Sequence, residues 1–296
     1  MSSAQLPPAT RGAISAPVVA EFLASSGMTI NELMLALIPQ AQTFARPPIS
    51  NFFVGAVAQG ASGSLYFGAN YEFVGQALSF TVHGEQAATA HAFANGETGM
   101  QRLAVSAAPC GYCRQFLYEL NTAATLQILL PNTPATALTA LLPNAFGPRD
   151  LGVTAALMSP QTHGLMLLPG ITDAVAEAAL AAANSSYAPY TSGFAGVALK
   201  TADGSLFTGS VAENAAFNPS MSPLEAAVVS LVISGGKSYS DIVDAVLVEA
   251  AGSQASQLAA TRAVLESITS VQLRAYPAQT PHAKEEKSAH LLRSKH

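Results

Sequence analysis

Both cysteines of this 296-residue chain stand three residues apart, as Cys110 and Cys113 in the stretch APCGYCRQF. That spacing admits a disulfide, a redox pair, half of a metal site, or chance. A disulfide across so short a loop would stabilise little, and a redox pair wants a thioredoxin-like setting that the flanking sequence lacks. The metal reading needs more ligands, and upstream the stretch TVHGEQ supplies His83 and Glu85. One imidazole and two thiolates are donors that zinc prefers, and three protein ligands leave a fourth position for water. As i and i+3 residues, Cys110 and Cys113 share one face of a helix start that Pro109 opens, and helix N-termini favour thiolates. Two thiolates and a neutral imidazole cancel the charge of the ion, so a bound water would need help to ionise. Glu85, two residues from His83, is placed to act as that base. Structural zinc is the competing reading of C-x-x-C, and it requires a fourth ligand. His91 does not supply one: eight residues beyond His83 on the same helix, it stands ~12 Å away and reads as a packing or surface histidine. His282, His290 and His296 fall in a charged tail.

The elements that must position these residues follow from pattern. Thr29 and Glu32 form a capping box that opens a helix through NELMLALIPQAQTFA, with a kink expected at Pro39. FFVGAVAQ and GSLYFGAN read as a hairpin, and GEQAATAHAFAN as a long helix closed by Gly96. LAVSA and LQILL are short strands on either side of the helix CGYCRQFLYELN. Strands alternating with helices predict a three-layer α/β/α domain.

Between residues 131 and 170 six prolines mark a connection. Beyond it, PYTSGFAGVALKTADGSLFTGSVAENAAF repeats the layout of PPISNFFVGAVAQGASGSLYFGANYEF at a shift of 141 residues. Gly196 answers Gly55, Leu206 answers Leu65, Gly209 answers Gly68, and Glu213 answers Glu72. LEAAVVSLVIS and VDAVLVEA then supply the next helix and strand, so the chain is read as a tandem repeat. The second copy has no cysteine. It sets Ser222 opposite His83 and Leu224 opposite Glu85, unless a small gap brings Glu225 into that place.

Composition narrows the partners. A net charge of −5 and a pI near 5.6 are a poor start for gripping a polyanion. Mean hydropathy is +0.31, yet no apolar run approaches the ~20 residues of a membrane span. No secretory h-region is evident near the start, and two cysteines without a disulfide framework fit a reducing compartment. The expectation is a soluble, cytoplasmic protein that contacts neither membrane nor nucleic acid.

The pattern H-x-E followed by P-C-x-x-C, here His83-Gly84-Glu85 and Pro109 to Cys113, marks zinc deaminases. With ISNFFVGA, FGANYEF, HGEQAA, APCGYCRQF, AFGPRDL and ENAAFNPSMSPLEAA, the chain resembles the cytidine deaminase family in its two-domain homodimeric form, from about residue 30 to 250. The resemblance implies a tandem of two related three-layer α/β/α domains after an N-terminal helical segment, the second domain degenerate. The boundaries expected are a leader and helical segment over 1–46, a catalytic domain over 47–150, a linker over 151–170, a degenerate domain over 171–276 and a charged, disordered tail over 277–296. It implies Zn2+ held by His83, Cys110 and Cys113, and attack of a zinc-bound hydroxide on C4 of a cytidine or deoxycytidine while Glu85 shuttles protons. Asn70 and Glu72 would bind the ribose, Phe52 would pack on the pyrimidine, and Gly84 N–H and Ala108 C=O would read its edge. Phe146 would reach in from the partner subunit of a homodimer. Two positions depart from the family: Gly84 stands where alanine is usual, and Tyr112 where histidine is expected. Competing functions are a polynucleotide cytosine deaminase, which the acidic composition disfavours, and an inactive zinc-stabilised scaffold, which would not need Glu85.

Overall fold

The computed structural model describes residues 5–279, so the charged tail from residue 280 on, with His282, His290 and His296, lies outside the described residues. The chain divides into two compact units. The first runs to Ser159 and includes Glu213–Met221 and Val228–Ser238; the second holds Pro160–Ala212, Ser222–Ala227 and the residues from Tyr239 on.

In the first unit the chain forms β1 (Ala13–Ile14), α1 (Ala16–Ser26), α2 (Ile30–Gln42), β2 (Gly55–Gly60), β3 (Leu65–Ala69) and α3 (Gly84–Ala94). It continues with β4 (Met100–Val105), α4 (Gly111–Leu117), β5 (Gln127–Leu129), β6 (Thr136–Ala137) and α5 (Leu138–Leu141). The sheet order is β1-β3-β2-β4-β5-β6, with β4 and β5 parallel and the other neighbours antiparallel. The capping box that opens α2 is present: Glu32 N donates to Thr29 Oγ1 at 3.3 Å and Thr29 N to Glu32 Oε2 at 2.7 Å. α2 runs through Pro39 to Gln42 and buries Leu33, Met34, Leu37 and Ile38, each worth ~1.5–3 kcal/mol of apolar burial. The leader is less loose than its composition implies, because Ala13 and Ile14 pair with Tyr66 and Leu65 at the sheet edge.

Two glycines explain why helices can lie on both faces of this sheet. A Cβ on Gly55 would collide with Gln42 and the Ile38 carbonyl of α2, and one on Gly68 would stand 2.2 Å from Ala88 N and 2.3 Å from Gly84 O of α3. Gly55 pairs with Ala69 and Ala56 with Gly68, so the two glycines face opposite sides of the sheet. Only a residue without a side chain lets each helix backbone settle there.

The second unit contains β7 (Met166–Leu167), α6 (Ala174–Asn184), β8 (Ala195–Thr201), β9 (Leu206–Ser210), the start of α7 (Pro223–Val229), β10 (Ile242–Ala250), α8 (Leu258–Ile268) and β11 (Leu273–Gln279). α7 ends in a π-helical turn over Ser230–Ser234. The sheet order is β7-β11-β10-β8-β9, with β10 and β11 parallel. The repeat seen in the sequence is a repeat of register. Gly196 pairs with Ser210 and Val197 with Gly209, as Gly55 pairs with Ala69 and Ala56 with Gly68. Gly196 meets Ala179 O and Ala183 N of α6, while Gly209 meets Ala227 N and Pro223 O of α7. The architecture is a tandem of two α/β/α domains. Among the described residues no single helix is long and apolar enough to cross a membrane; α1 and α2 together have the length but are bent by 112°.

Candidate metal centre

The two segments singled out by chemistry become the N-termini of α3 and α4. His83 is the N-cap residue of α3 and Cys110 that of α4, with Cys113 in the first turn of α4. Pro109 therefore stands one residue before the cap, not inside the first turn as its position in the sequence implies. His83 Nδ1 lies 3.6 Å from Cys110 Sγ and 3.3 Å from Cys113 Sγ, and the sulfurs are 3.6 Å apart. The edges of a tetrahedral site with ordinary Zn–S and Zn–N bonds are ~3.5–3.8 Å long, so the donor set fits zinc in type and in spacing. Among the described residues the cluster has these three members alone, the number that leaves one coordination position free.

Side by side, the two thiols cannot both ionise without a cation between them. The hydrogen bond with Cys113 pulls Cys110 down to about 5, while the same bond, burial and the facing Glu85 push Cys113 up. A divalent ion removes the conflict. Glu85 is only 4% exposed, and burial holds its carboxyl above the usual carboxylate range. Arg114 donates to the carbonyls of Pro109 at 2.8 Å and Leu141 at 2.9 Å. It braces the loop that precedes Cys110.

The residues expected to meet the substrate sit on five segments. Gly84 is buried at the start of α3, and Ala108 is exposed just before Pro109. Asn70 Oδ1 accepts from Val54 N at 2.9 Å and its Nδ2 donates to Phe52 O at 2.8 Å. Glu72 accepts from Ile49 N at 2.8 Å, from Ser50 N at 2.9 Å and from Ser50 Oγ. Burial opposes the charge of Glu72, but the bonds from Ser50 and Ile49 outweigh it and hold the carboxyl below its usual range. Asn70 and Glu72 thus fasten the loop that presents Phe52, whose ring is 58% exposed. Phe146 is also exposed, and its carbonyl accepts from Gln115 Nε2 at 2.8 Å.

Three features escaped the sequence reading. Ser50 anchors Glu72, and Gln86 Oε1 accepts from His83 N at 3.1 Å. The third is the segment Glu213–Met221, which belongs to the first unit although it lies within the second repeat. It fastens to α4 and the turn that follows it: Asn214 Nδ2 donates to Gln115 O at 2.9 Å, Ala215 N to Glu119 Oε2 at 2.9 Å, and Tyr112 Oη to Asn218 O at 2.8 Å.

The second copy lacks these donors, and its register is now fixed. Gly209 touches Pro223 O and Ala227 N as Gly68 touches Gly84 O and Ala88 N. Ser222 therefore answers His83, and Leu224 answers Glu85. Glu225 takes the place of Gln86: its carboxylate accepts from Ser222 N at 2.7 Å, as the Gln86 amide accepts from His83 N. Val197 pairs with Leu247 as Ala56 pairs with Val105, which sets Gly252 and Ala255 opposite Cys110 and Cys113.

The family models for the cytidine and deoxycytidylate deaminase zinc-binding region match this chain twice, one over residues 28–128 and the other over residues 138–262. A cytidine deaminase of Photobacterium profundum is 48% identical over 83% of this chain and 82% of its own length. Those of Aeromonas hydrophila and Vibrio cholerae are 49% and 46% identical, each over 86% of this chain and over 86% and 85% of their own lengths. With both halves matched and most of each relative's length covered, the chain belongs to the cytidine deaminase family in its two-domain form.

Proposed function

We propose that this protein hydrolyses cytidine and deoxycytidine to uridine and deoxyuridine with release of ammonia, as a cytoplasmic enzyme of pyrimidine salvage. The observation that carries the reading is the buried carboxyl of Glu85 beside a three-donor cluster with one position to spare. His83, Cys110 and Cys113 would hold the metal, and a bound zinc would supply a water that ionises near neutral pH. Glu85 would take a proton from the attacking water as its oxygen bonds to C4, and deliver that proton to N3. It would then move the remaining proton from this oxygen to the amine, so that the C4–N4 bond breaks, a carbonyl forms at C4 and ammonia leaves. Burial raises the proton affinity of Glu85, which suits a group that must also act as an acid.

Gly84 N–H and Ala108 C=O read the base edge, Phe52 covers the ring, and Asn70 and Glu72 take the ribose hydroxyls. The working form is a homodimer in which Phe146 closes the site of its partner. Catalysis belongs to a domain over residues 47–150, and the domain over 171–276 is non-catalytic. A polynucleotide substrate is disfavoured by the net charge of −5. An inactive scaffold would have no use for a carboxyl held buried at Glu85. The test is incubation of purified, zinc-loaded protein with cytidine, following ammonia and the absorbance change to uridine. Absence of both from protein that holds zinc overturns the proposal.

A further inference from the structure

We propose that Tyr112 is a positioning residue for His83, fastened in turn by the segment Glu213–Met221 of the degenerate repeat. The inference rests on the reading of His83 as a zinc ligand and adds an outer support to it. The Tyr112 ring stacks on the His83 imidazole with centroids 5.5 Å apart and planes inclined by 29°. Its hydroxyl donates to Asn218 O at 2.8 Å, so the ring cannot slide off the imidazole without breaking that bond. The acceptor is itself fixed. Asn214 and Ala215 are bonded to Gln115 of α4 and to Glu119 just beyond it, and the segment closes on itself through Asn214 N to Ser220 Oγ at 2.9 Å and Ser220 N to Phe217 O at 2.9 Å. Phe217 takes a φ of 63° inside this turn, a conformation that a bulky residue holds only where its surroundings impose it.

A second tie reaches His83 from its backbone side. Gln86 accepts from His83 N at 3.1 Å and extends its Nε2 toward Pro219 O at 3.4 Å. The consecutive carbonyls of Asn218 and Pro219 thus receive the groups that flank His83, one against its ring and one against its main chain. Nδ1 is turned toward both sulfurs, so a ring rotation that carries Nδ1 away disturbs the stack with Tyr112. Groups that orient a metal-bound histidine typically contribute 10–100-fold to metal affinity or activity. On this reading a repeat that has lost its own donors still serves the metal centre of the other.

The experiment uses the full-length protein loaded with zinc, and in parallel with cobalt. Tyr112→Phe keeps the ring and removes its anchor; Tyr112→Ala removes both. Zinc loss to excess chelator is expected to accelerate ~10–100-fold in Tyr112→Ala and by a smaller factor in Tyr112→Phe. The cobalt ligand-field bands are expected to shift, and kcat for cytidine to fall with little change in KM. If Tyr112→Ala does not fold, the Tyr112→Phe comparison carries the test alone. Zinc release and cobalt bands equal to wild type, with or without a lowered melting temperature, reduce Tyr112 to a packing residue and overturn the proposal. His83→Ala is the separate control: retention of zinc at the wild-type rate would refute the ligand assignment itself.

Discussion

A methyl group on Gly84 would stand 2.9 Å from Val54 Cγ1 and 3.6 Å from Ala56 Cβ. Nothing in the backbone demands glycine here; Val54 already occupies the space that an alanine would need. Val54 is held in turn, its N–H donated to Asn70 Oδ1. Gly84→Ala is therefore expected to destabilise the fold by ~1–3 kcal/mol, the usual cost of overpacking, and to lower kcat/KM for cytidine by displacing the loop that carries Phe52. Val54→Ala in the same chain should restore most of both losses. A double-mutant cycle checks this, with a coupling of ~0.5–3 kcal/mol expected for groups in contact. Additive losses would separate the two positions.

Glu85→Gln preserves size and one hydrogen-bonding oxygen while removing the proton carrier. The variant is expected to fold and to bind one equivalent of zinc. Its turnover of cytidine should fall by at least ~100-fold, the lower end of what general acid–base catalysis contributes. Metal analysis and steady-state kinetics on the same preparation decide it. Substantial activity with full zinc would remove Glu85 from the proton path.

Metal content should be about one zinc per chain. The second copy offers Ser222, Gly252 and Ala255 where the first has His83, Cys110 and Cys113, so it has no thiolate or imidazole to contribute. Cys110→Ala should lose zinc and, because metal binding is coupled to folding, lower the melting temperature as well. Two tightly held ions per wild-type chain would contradict this assignment.

Acid should destabilise the fold partly through His91. The ring is buried, its Nδ1–H donates to Phe67 O at 3.0 Å, the Tyr66 ring meets it edge-on with centroids 5.5 Å apart, and Gly12 lies beside it, where a Cβ would stand 3.1 Å from His91 Cε1. Burial outweighs the hydrogen bonds to the Phe67 and Arg11 backbone and lowers its pKa to about 4. The unfolded chain takes up this proton near pH 6.5, so stability is complete above that pH and is lost as pH falls toward 4. The loss amounts to ~3 kcal/mol. Glu225, raised to about 8 by burial, works in the opposite sense, with stability lost as pH rises from its unfolded value toward 8. Urea unfolding at pH 7 and pH 4.5 should show a larger decline for wild type than for His91→Gln. Equal declines would mean that the imidazole does not titrate in this window.

The His83, Cys110 and Cys113 cluster was readable because the types and spacing of its residues are rare. Two cysteines three apart, preceded by H-x-E, admit few meanings, and the matched glycines Gly55 and Gly196, Gly68 and Gly209 betrayed the repeat. The structure supplies the reason for the match, since each glycine lies under a helix backbone. The register of the second helix was read as it stands, with Ser222 opposite His83, but stayed open to a shift, because the connection from Glu213 to Ser222 is two residues shorter than that from Glu72 to His83 and no pattern in the loop says where the gap falls. The hydrogen-bonded set Tyr112, Gln115 and Glu119 was hidden. Its partner, Asn214 to Asn218, lies about a hundred residues away, and polar residues on a short helix ordinarily face water.

The substrate is expected to be a free nucleoside whose ribose is read as closely as its base. Asn70 and Glu72 stand two apart just beyond β3, and the second copy keeps Glu213 but has Val211 opposite Asn70, so the pair is broken in the copy that also lacks the metal donors. Both side chains already bond the loop of residues 49–54, so a simple loss of activity in Glu72→Ala has two causes to separate. Ser50→Ala removes the shortest of those bonds while leaving the carboxylate available to a sugar. If Glu72 grips the ribose, Glu72→Ala should depress kcat/KM for cytidine far more than Ser50→Ala, with zinc content unchanged in both. Free cytosine should then be a very poor substrate for the wild type, because binding energy from the sugar is missing in the transition state, and Glu72→Ala should barely alter that residual rate. Were the carboxylate only a loop anchor, Glu72→Ala would lower the residual cytosine turnover in the same proportion as cytidine turnover, because Ser50→Ala leaves the bonds from Ile49 N and Ser50 N while Glu72→Ala removes all of them. Single-stranded DNA and RNA should remain untouched even at low salt, where electrostatic binding is strongest. Deamination of cytosine or of an oligonucleotide at a rate comparable with cytidine would overturn the nucleoside assignment.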